Sequence, residues 1–347
     1  MIKNWPVFTF ATGGADVYID LGTANTLVAT RTHGIIANEP SVIAYKENNA
    51  GQKQLVSIGQ DAKAKMGRTP ENIITKLPLR EGVIADMDAT EIMLRHLLQK
   101  ARAKNLFFVK PRVVISLPHG VTDVEKNAVR YVGLAAGARE VALIEEPVAA
   151  AIGAGLPIHQ ATGNMVVDIG GGTTEVAVIS LYGIVHCETV RVGGHAFDSA
   201  IIDYVKKQYG ISLGEPTAEA IKIKIGSALP GDHESRSTVR GMDSLTGLPR
   251  ELVLTSHEIH RALNPVLVEI IGAIKRTLEQ TPPELVPDLL EDGIVLTGGG
   301  ALIRNLCERI QQDTGLSANV AKDPLLAIAR GGEAAIQEKS LLERISV

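Results

Sequence analysis

Two aspartates, each closing an apolar run and each followed by a glycine-bearing turn, carry the most explicit chemistry in this chain. The first stretch is Val17-Tyr18-Ile19-Asp20-Leu21-Gly22-Thr23-Ala24-Asn25-Thr26-Leu27-Val28-Ala29, and the second is Met165-Val166-Val167-Asp168-Ile169-Gly170-Gly171-Gly172-Thr173-Thr174-Glu175-Val176-Ala177-Val178-Ile179. They align without gaps, matching Asp20 to Asp168, Gly22 to Gly170, Thr26 to Thr174, Val28 to Val176 and Ala29 to Ala177. Each reads as a β-hairpin. Turn residues without Cβ atoms let backbone N–H groups approach an anion, and adjacent N–H groups form a concavity that suits phosphate. An aspartate at the strand end is placed to hold water on a magnesium ion, which prefers oxygen ligands and keeps much of its hydration shell. A single triple-glycine turn reads as an ordinary hairpin. Two copies imply two related halves, with a polyphosphate and its metal clamped between them.

A carboxylate between two such hairpins would orient a water for in-line attack on a γ-phosphate. The candidate is Glu146 in Glu145-Glu146-Pro147, with Glu145 in reserve. Acids in a first helical turn also serve simply to complement the dipole. Val141 to Ile144 reads as a buried strand, and proline near the first helical position, then small residues and Gly155, mark the start and stop of a helix. Gly293 to Ile303 reads as a strand breaking at Gly298-Gly299-Gly300, a form suited to adenosine packing against backbone or to a dinucleotide fold. The Rossmann fingerprint lacks its third glycine here, and no glycine-lysine-serine or glycine-lysine-threonine triplet marks a Walker loop. Glu219 and Lys222 share a helix face, which on its own gives a solvated ion pair.

The elements that must position these residues fit a chain of 347 residues, a length that favours two domains. The net charge of −4, with interspersed signs, argues against nucleic acid as a partner. No apolar run has the length of a membrane span, and the N-terminal apolar residues, interrupted by Pro6, lack a signal peptide's form. Cys187 and Cys307 read as buried free thiols of a cytoplasmic protein, with a single disulfide left open. Asp88 to Lys104 reads as an amphipathic helix facing the core through Ile92, Leu94, Leu97 and Leu98. Arg112 to Leu117 reads as a buried strand, Thr122 to Glu125 as a capping box, and Ser256 to about Gln280 as a helix. Residues 38–79 look like a small insertion, and Pro230 to Arg250 is turn-rich. Leu106-Phe107-Phe108-Val109, flanked by Lys104, Lys110 and Arg112, either tucks into a core or inserts into an anionic bilayer surface.

The chain resembles, nearly end to end, the actin, sugar-kinase and heat-shock chaperone ATPase superfamily, and within it the bacterial actins of cell-shape control. The resemblance rests on Asp20 to Thr26, Ile144 to Pro147 with the small-residue run to Pro157, Asp168 to Glu175, Thr217 to Glu219 with Ile221-Lys222, Thr246 to Pro249 and Leu296 to Gly300. It implies an α/β, actin-like ATPase fold: two related domains, each a mixed sheet flanked by helices in the ribonuclease H-like manner and bearing a small inserted subdomain, with nucleotide in the cleft. The expected division is 1–37, 80–148 and 322–347 for the first core, 38–79 for its insertion, 149–187 and 252–321 for the second core, and 188–251 for its insertion.

The resemblance also implies ATP or ADP on Gly22, Thr23, Ala24, Asn25, Gly170, Gly171, Gly172 and Thr173, with Asp20 and Asp168 near Mg2+ through water. Glu146 would position the hydrolytic water with Thr173 as hydroxyl partner. Glu219 and Lys222 would meet ribose and adenine, and Gly298, Gly299 and Gly300 would form the adenosine loop. The implied activity is Mg-dependent ATP hydrolysis coupled to polymerisation into paired filaments. The implied setting is cytoplasmic, peripheral at the inner face of the membrane, with the membrane lipid surface (through Leu106, Phe107, Phe108 and Val109) and the cell-wall elongation machinery as partners. A cytoplasmic filament for plasmid or organelle positioning is the alternative. His119 stands where similar proteins often carry a small residue, and the segment through Gly14, with Trp5, Phe8 and Phe10, is apolar and aromatic rather than basic and amphipathic.

Overall fold

The computed structural model describes residues 16–47, 53–105, 110–230 and 235–347. Leu106 to Val109 and the N-terminal segment with Trp5, Phe8 and Phe10 lie outside the described residues. The chain opens with a meander of β1 (Asp16–Leu21), β2 (Asn25–Thr30) and β3 (Gly34–Pro40). It continues through β4 (Ile43–Glu47), β5 (Lys53–Ile58), the short α1 (Gln60–Lys63), β6 (Ile73–Lys76), and the small ladder of β7 (Leu79–Arg80) with β8 (Val83–Ile84). Next come α2 (Met87–Asn105), β9 (Arg112–Leu117), α3 (Asp123–Ala135), β10 (Glu140–Glu145) and α4 (Glu146–Gly153). The pattern then repeats with β11 (Asn164–Ile169), β12 (Thr174–Ser180) and β13 (Gly183–Val190), followed by α5 (Gly194–Tyr209), β14 (Ile211–Ser212), α6 (Glu215–Ile225), β15 (Arg236–Asp243) and β16 (Pro249–Thr255). The last elements are α7 (Ser256–Glu279), α8 (Val286–Asp292), β17 (Ile294–Thr297), α9 (Leu306–Thr314), β18 (Ala318–Val320), α10 (Ala327–Gln337) and α11 (Lys339–Ile345).

The repeat in sequence is a repeat in topology. One five-stranded sheet has the order β10-β9-β1-β2-β3 and the other β13-β12-β11-β17-β18, so each is an antiparallel meander extended by two parallel strands. Asp20 pairs with Leu27 and Leu21 with Thr26, as Asp168 pairs with Glu175 and Ile169 with Thr174. Central strands covered on both faces read as continuous apolar runs. Accordingly β1, β9 and β11 are buried along their whole lengths.

Between the two sheets lies a shared core. Tyr18, Leu27 and Ala29 from one side and Val166, Ala177 and Ile179 from the other pack on α4 and α10. The small residues of α4 let these helices touch backbone to backbone: a Cβ on Gly331 would lie 1.8 Å from the Ala149 carbonyl oxygen. Glu146, the first residue of α4, is thereby fixed to the layer that joins the halves.

Three readings from sequence change. Residues 230–250 are not simply turns, because β15 and β16 form a hairpin within a separate small sheet. The buried face of α2 is Met93, Leu94, Leu97, Leu98 and Ala101, whereas Ile92 is exposed. Arg112 is buried and makes a bidentate pair with Asp16, donating from Nε at 2.9 Å and Nη2 at 2.8 Å, which removes it from any lipid-facing cluster. The capping boxes at Thr122 and Thr255 form, and both cysteines are free and half-buried. Among the described residues no helix is long and apolar enough to cross a membrane.

Candidate functional site

The turns of the two hairpins meet almost tip to tip. Gly171 lies so close to Ala24 that a Cβ on it would sit 2.5 Å from the Ala24 Cβ, and one on Gly172 would sit 2.9 Å from Thr23 Oγ1. The second turn is held by Gly170 N–H donating to the Thr173 carbonyl at 2.9 Å. Behind it, the carbonyls of Gly170 and Gly171 accept from the N–H groups of Gly194 and His195 at the start of α5, each at 2.9 Å. In a planar trans peptide the N–H points opposite to its carbonyl. Docking on α5 therefore turns the N–H groups of Gly171 and Gly172 away from that helix.

Between the halves is a cavity of about 460 Å3. Gly22, Thr23, Ala24, Asn25, Gly170, Gly171, Gly172 and Thr173 line it, together with Asp20, Asp168 and Glu146, Glu219 and Lys222, and Gly298, Gly299 and Gly300. All the residues of the nucleotide, metal and water-positioning sets thus converge on one cavity. The reserve residue Glu145 is instead engaged by His119, Nδ1 to Oε1 at 2.7 Å. Nor do Glu219 and Lys222 pair with each other: Lys222 Nζ reaches Asp198 Oδ1 at 2.8 Å and donates to the Gly194 carbonyl at 2.9 Å, whereas Glu219 takes Lys63 from the other half of the molecule. The sequence reading did not single out Asp198 or the apolar wall of Leu302, Ile303, Leu325 and Ile328. The wall had no signal of its own, since leucines and isoleucines scattered along the chain resemble any others. Asp198 had one in the Gly-Gly-His-Ala-Phe-Asp opening of a helix.

The cavity's carboxylates are short of positive charge. Asp168 Oδ1 accepts from Thr297 Oγ1 at 2.7 Å, yet burial pushes its pKa up to about 6. Burial and then the Asp168 charge push Asp20 up to about 7. Glu146, only 7% exposed, is pushed well up by burial first and then by Glu175, Asp20 and Asp168. Behind it Glu175, raised to about 8 chiefly by burial, uses Oε1 to accept from the His119 N–H at 2.7 Å, while its Oε2 makes no hydrogen bond among the described residues. Among the described residues no preformed cage of three metal-ligating side chains exists. Two underneutralised carboxylates beside two glycine turns nevertheless fit a hydrated divalent cation carried on a polyphosphate.

These shifts have a stability consequence. Unfolded, both aspartates titrate near 3.8; folded, near 7 and 6. Between those values the folded chain keeps protons that the unfolded chain has lost, so stability falls as pH rises. Without nucleotide or metal the protein is expected to melt at a lower temperature at pH 8 than at pH 5, with Mg2+ and ADP narrowing the difference. Thermal melts across that range check this, and a flat profile would show that the carboxylates are already compensated.

Two like sheets, each presenting one glycine hairpin to a shared cavity, define an actin-like fold. The chain belongs to the MreB/Mbl family, whose model, described as MreB/Mbl protein, matches residues 14–344. It is 52% identical to the cell shape-determining protein MreB of Escherichia coli K12 over 93% of each chain. It is 43% identical to the cell shape-determining protein Mbl of Bacillus subtilis, over 91% of this chain and 94% of that one. Among solved structures, MreB5 of Spiroplasma citri bound to ADP superposes with a TM-score of 0.89 at 36% identity, covering 96% of this chain and 98% of that one.

Proposed function

We propose that this protein binds ATP and ADP in the cavity between its halves, hydrolyses ATP, and assembles into filaments on the inner face of the cytoplasmic membrane, where they organise cell-wall synthesis and maintain cell shape. The observation that carries the reading is the pair of hairpin tips in contact, each half supplying one glycine turn and one aspartate to the same cavity. MreB5, a relative at 36% identity, was solved with ADP, and the relatives named above are cell shape-determining proteins. Gly22 to Asn25 and Gly170 to Thr173 would cradle the phosphates, and the adenosine would lie against Gly298 to Gly300 and the apolar wall of Leu302 and Leu325. Asp20 and Asp168 would hold Mg2+ through its waters, the ion supplying charge to offset that of the phosphates.

Glu146 orients the attacking water, with Thr173 as its hydroxyl partner. Hydrolysis removes a group that contacts both turns at once, which loosens the grip of one half on the other and disfavours the filament. Membrane attachment is assigned to Leu106 to Val109, with Lys104 and the exposed Lys110 beside it. Replacing both Phe107 and Phe108 by serine is expected to abolish co-sedimentation with anionic liposomes and to leave nucleotide binding intact; retained lipid binding would sink that assignment. The test of the whole reading is pelleting with ATP and Mg2+, with and without anionic liposomes, followed by negative-stain microscopy. Paired filaments lying on lipid support it, filaments indifferent to lipid point to a positioning filament, and no filaments at all overturn it.

A further inference from the structure

The wall of the nucleotide cavity formed by Glu219 is braced from the opposite half. Lys63 Nζ stands 2.9 Å from Glu219 Oε2 and donates to Oε1 at 3.0 Å, so one ammonium straddles both oxygens. Each partner has an anchored backbone. Lys63 belongs to α1, whose Ala62 is fully buried against Val42 and Ala44. Glu219 belongs to α6, which is sunk into the second core through Ala218, Ile221 and Ile225. Glu219 lines both the nucleotide cavity and an adjoining one of about 480 Å3, and Lys63 lines the adjoining one. Lys63 therefore reaches the nucleotide site through Glu219.

We propose that Lys63 is a positioning residue for the ribose contact: by holding both oxygens of Glu219 from across the cleft, it fixes the carboxylate in the rotamer that accepts the ribose hydroxyls. A carboxylate has about four lone-pair sites. One ammonium leaves room for ribose donors, so the pair braces the contact rather than competing with it. Because the brace crosses the cleft, the grip on ribose is full only when the halves are closed. The inference rests on Glu219 being the ribose contact of the proposed nucleotide site.

The test is calorimetric titration of the full chain with Mg-ADP and with Mg-2′,3′-dideoxy-ADP, which lacks the hydroxyls. The wild type is expected to prefer ADP by about tenfold or more, the effect of losing a hydrogen bond to a charged group. In Lys63→Ala, ADP affinity is expected to fall about fivefold, the upper end for a pair with side chains 35% and 36% exposed, while dideoxy-ADP affinity stays unchanged. Lys63→Arg, which can also span both oxygens, is expected to restore much of the preference. Equal losses for both nucleotides would make the pair a cleft clasp and overturn the ribose role, as would an unchanged preference in Lys63→Ala. A wild type that binds ADP without preferring it would overturn the ribose reading of Glu219 and this proposal with it. A wild type that binds neither nucleotide would overturn the proposed function itself.

Discussion

In Glu146→Ala, phosphate release from ATP is expected to fall by about two to three orders of magnitude, within the usual range for removing a positioned general base, while ATP still binds. The carboxylate stands at the first residue of α4, held by the helix pair between the sheets, and faces the cavity that the hairpins enclose. Burial and neighbouring acids hold its pKa well up. Binding survives because the deletion removes one of several acids crowded beneath an anionic ligand. Single-turnover phosphate release, read beside calorimetric ATP binding, separates the two effects. Unchanged hydrolysis would move the role to Glu145 or elsewhere. Glu145 lies outside the cavity lining and is hydrogen-bonded to His119, so a role there would require its side chain to reorient.

The hairpins were legible because every level of the sequence agreed on them. β-branched runs specified strands, glycine turns specified their ends, and the gap-free repeat marked the two hairpins as equivalent. Glu146 was legible for the same reason, since a strand, a proline-started helix and an acid at their junction leave few places for the side chain to point. What the sequence hid was decided by distant chain. Glu219 and Lys222 stand one helical turn apart, yet each takes another partner: Asp198 is supplied by α5, and Lys63 is supplied by the other half. Arg112 looked like a surface cation until Asp16, on the neighbouring strand, paired with it inside the sheet. β15 escaped notice because Arg236-Ser237-Thr238-Val239-Arg240 buries only Ser237 and Val239, too weak an apolar alternation to outweigh the turn residues around it.

Substitution of alanine at Gly171 is expected to lower nucleotide affinity by about a hundredfold or more, through contact between the hairpins rather than through backbone strain. The new Cβ would lie 2.5 Å from the Ala24 Cβ, 3.1 Å from its nitrogen and 3.3 Å from its Cα. No flexible side chain is available to yield there, so the tips must separate, and overpacking of this kind costs about 1–3 kcal/mol where a core can adjust. Here the adjustment is the opening of the cleft itself. Two turns moved apart cannot both reach one polyphosphate, so the loss should exceed what the clash alone would give. Ala24→Gly removes the closest of the three atoms, and the double variant Gly171→Ala with Ala24→Gly is therefore expected to recover a substantial part of the affinity. Calorimetry with Mg-ADP on the two single variants and the double measures this coupling directly, with thermal melts confirming that each remains folded. Should the double variant bind as weakly as Gly171→Ala alone, tip-to-tip contact would not be what sets affinity, and the alanine would be acting by blocking the N–H groups from the phosphate.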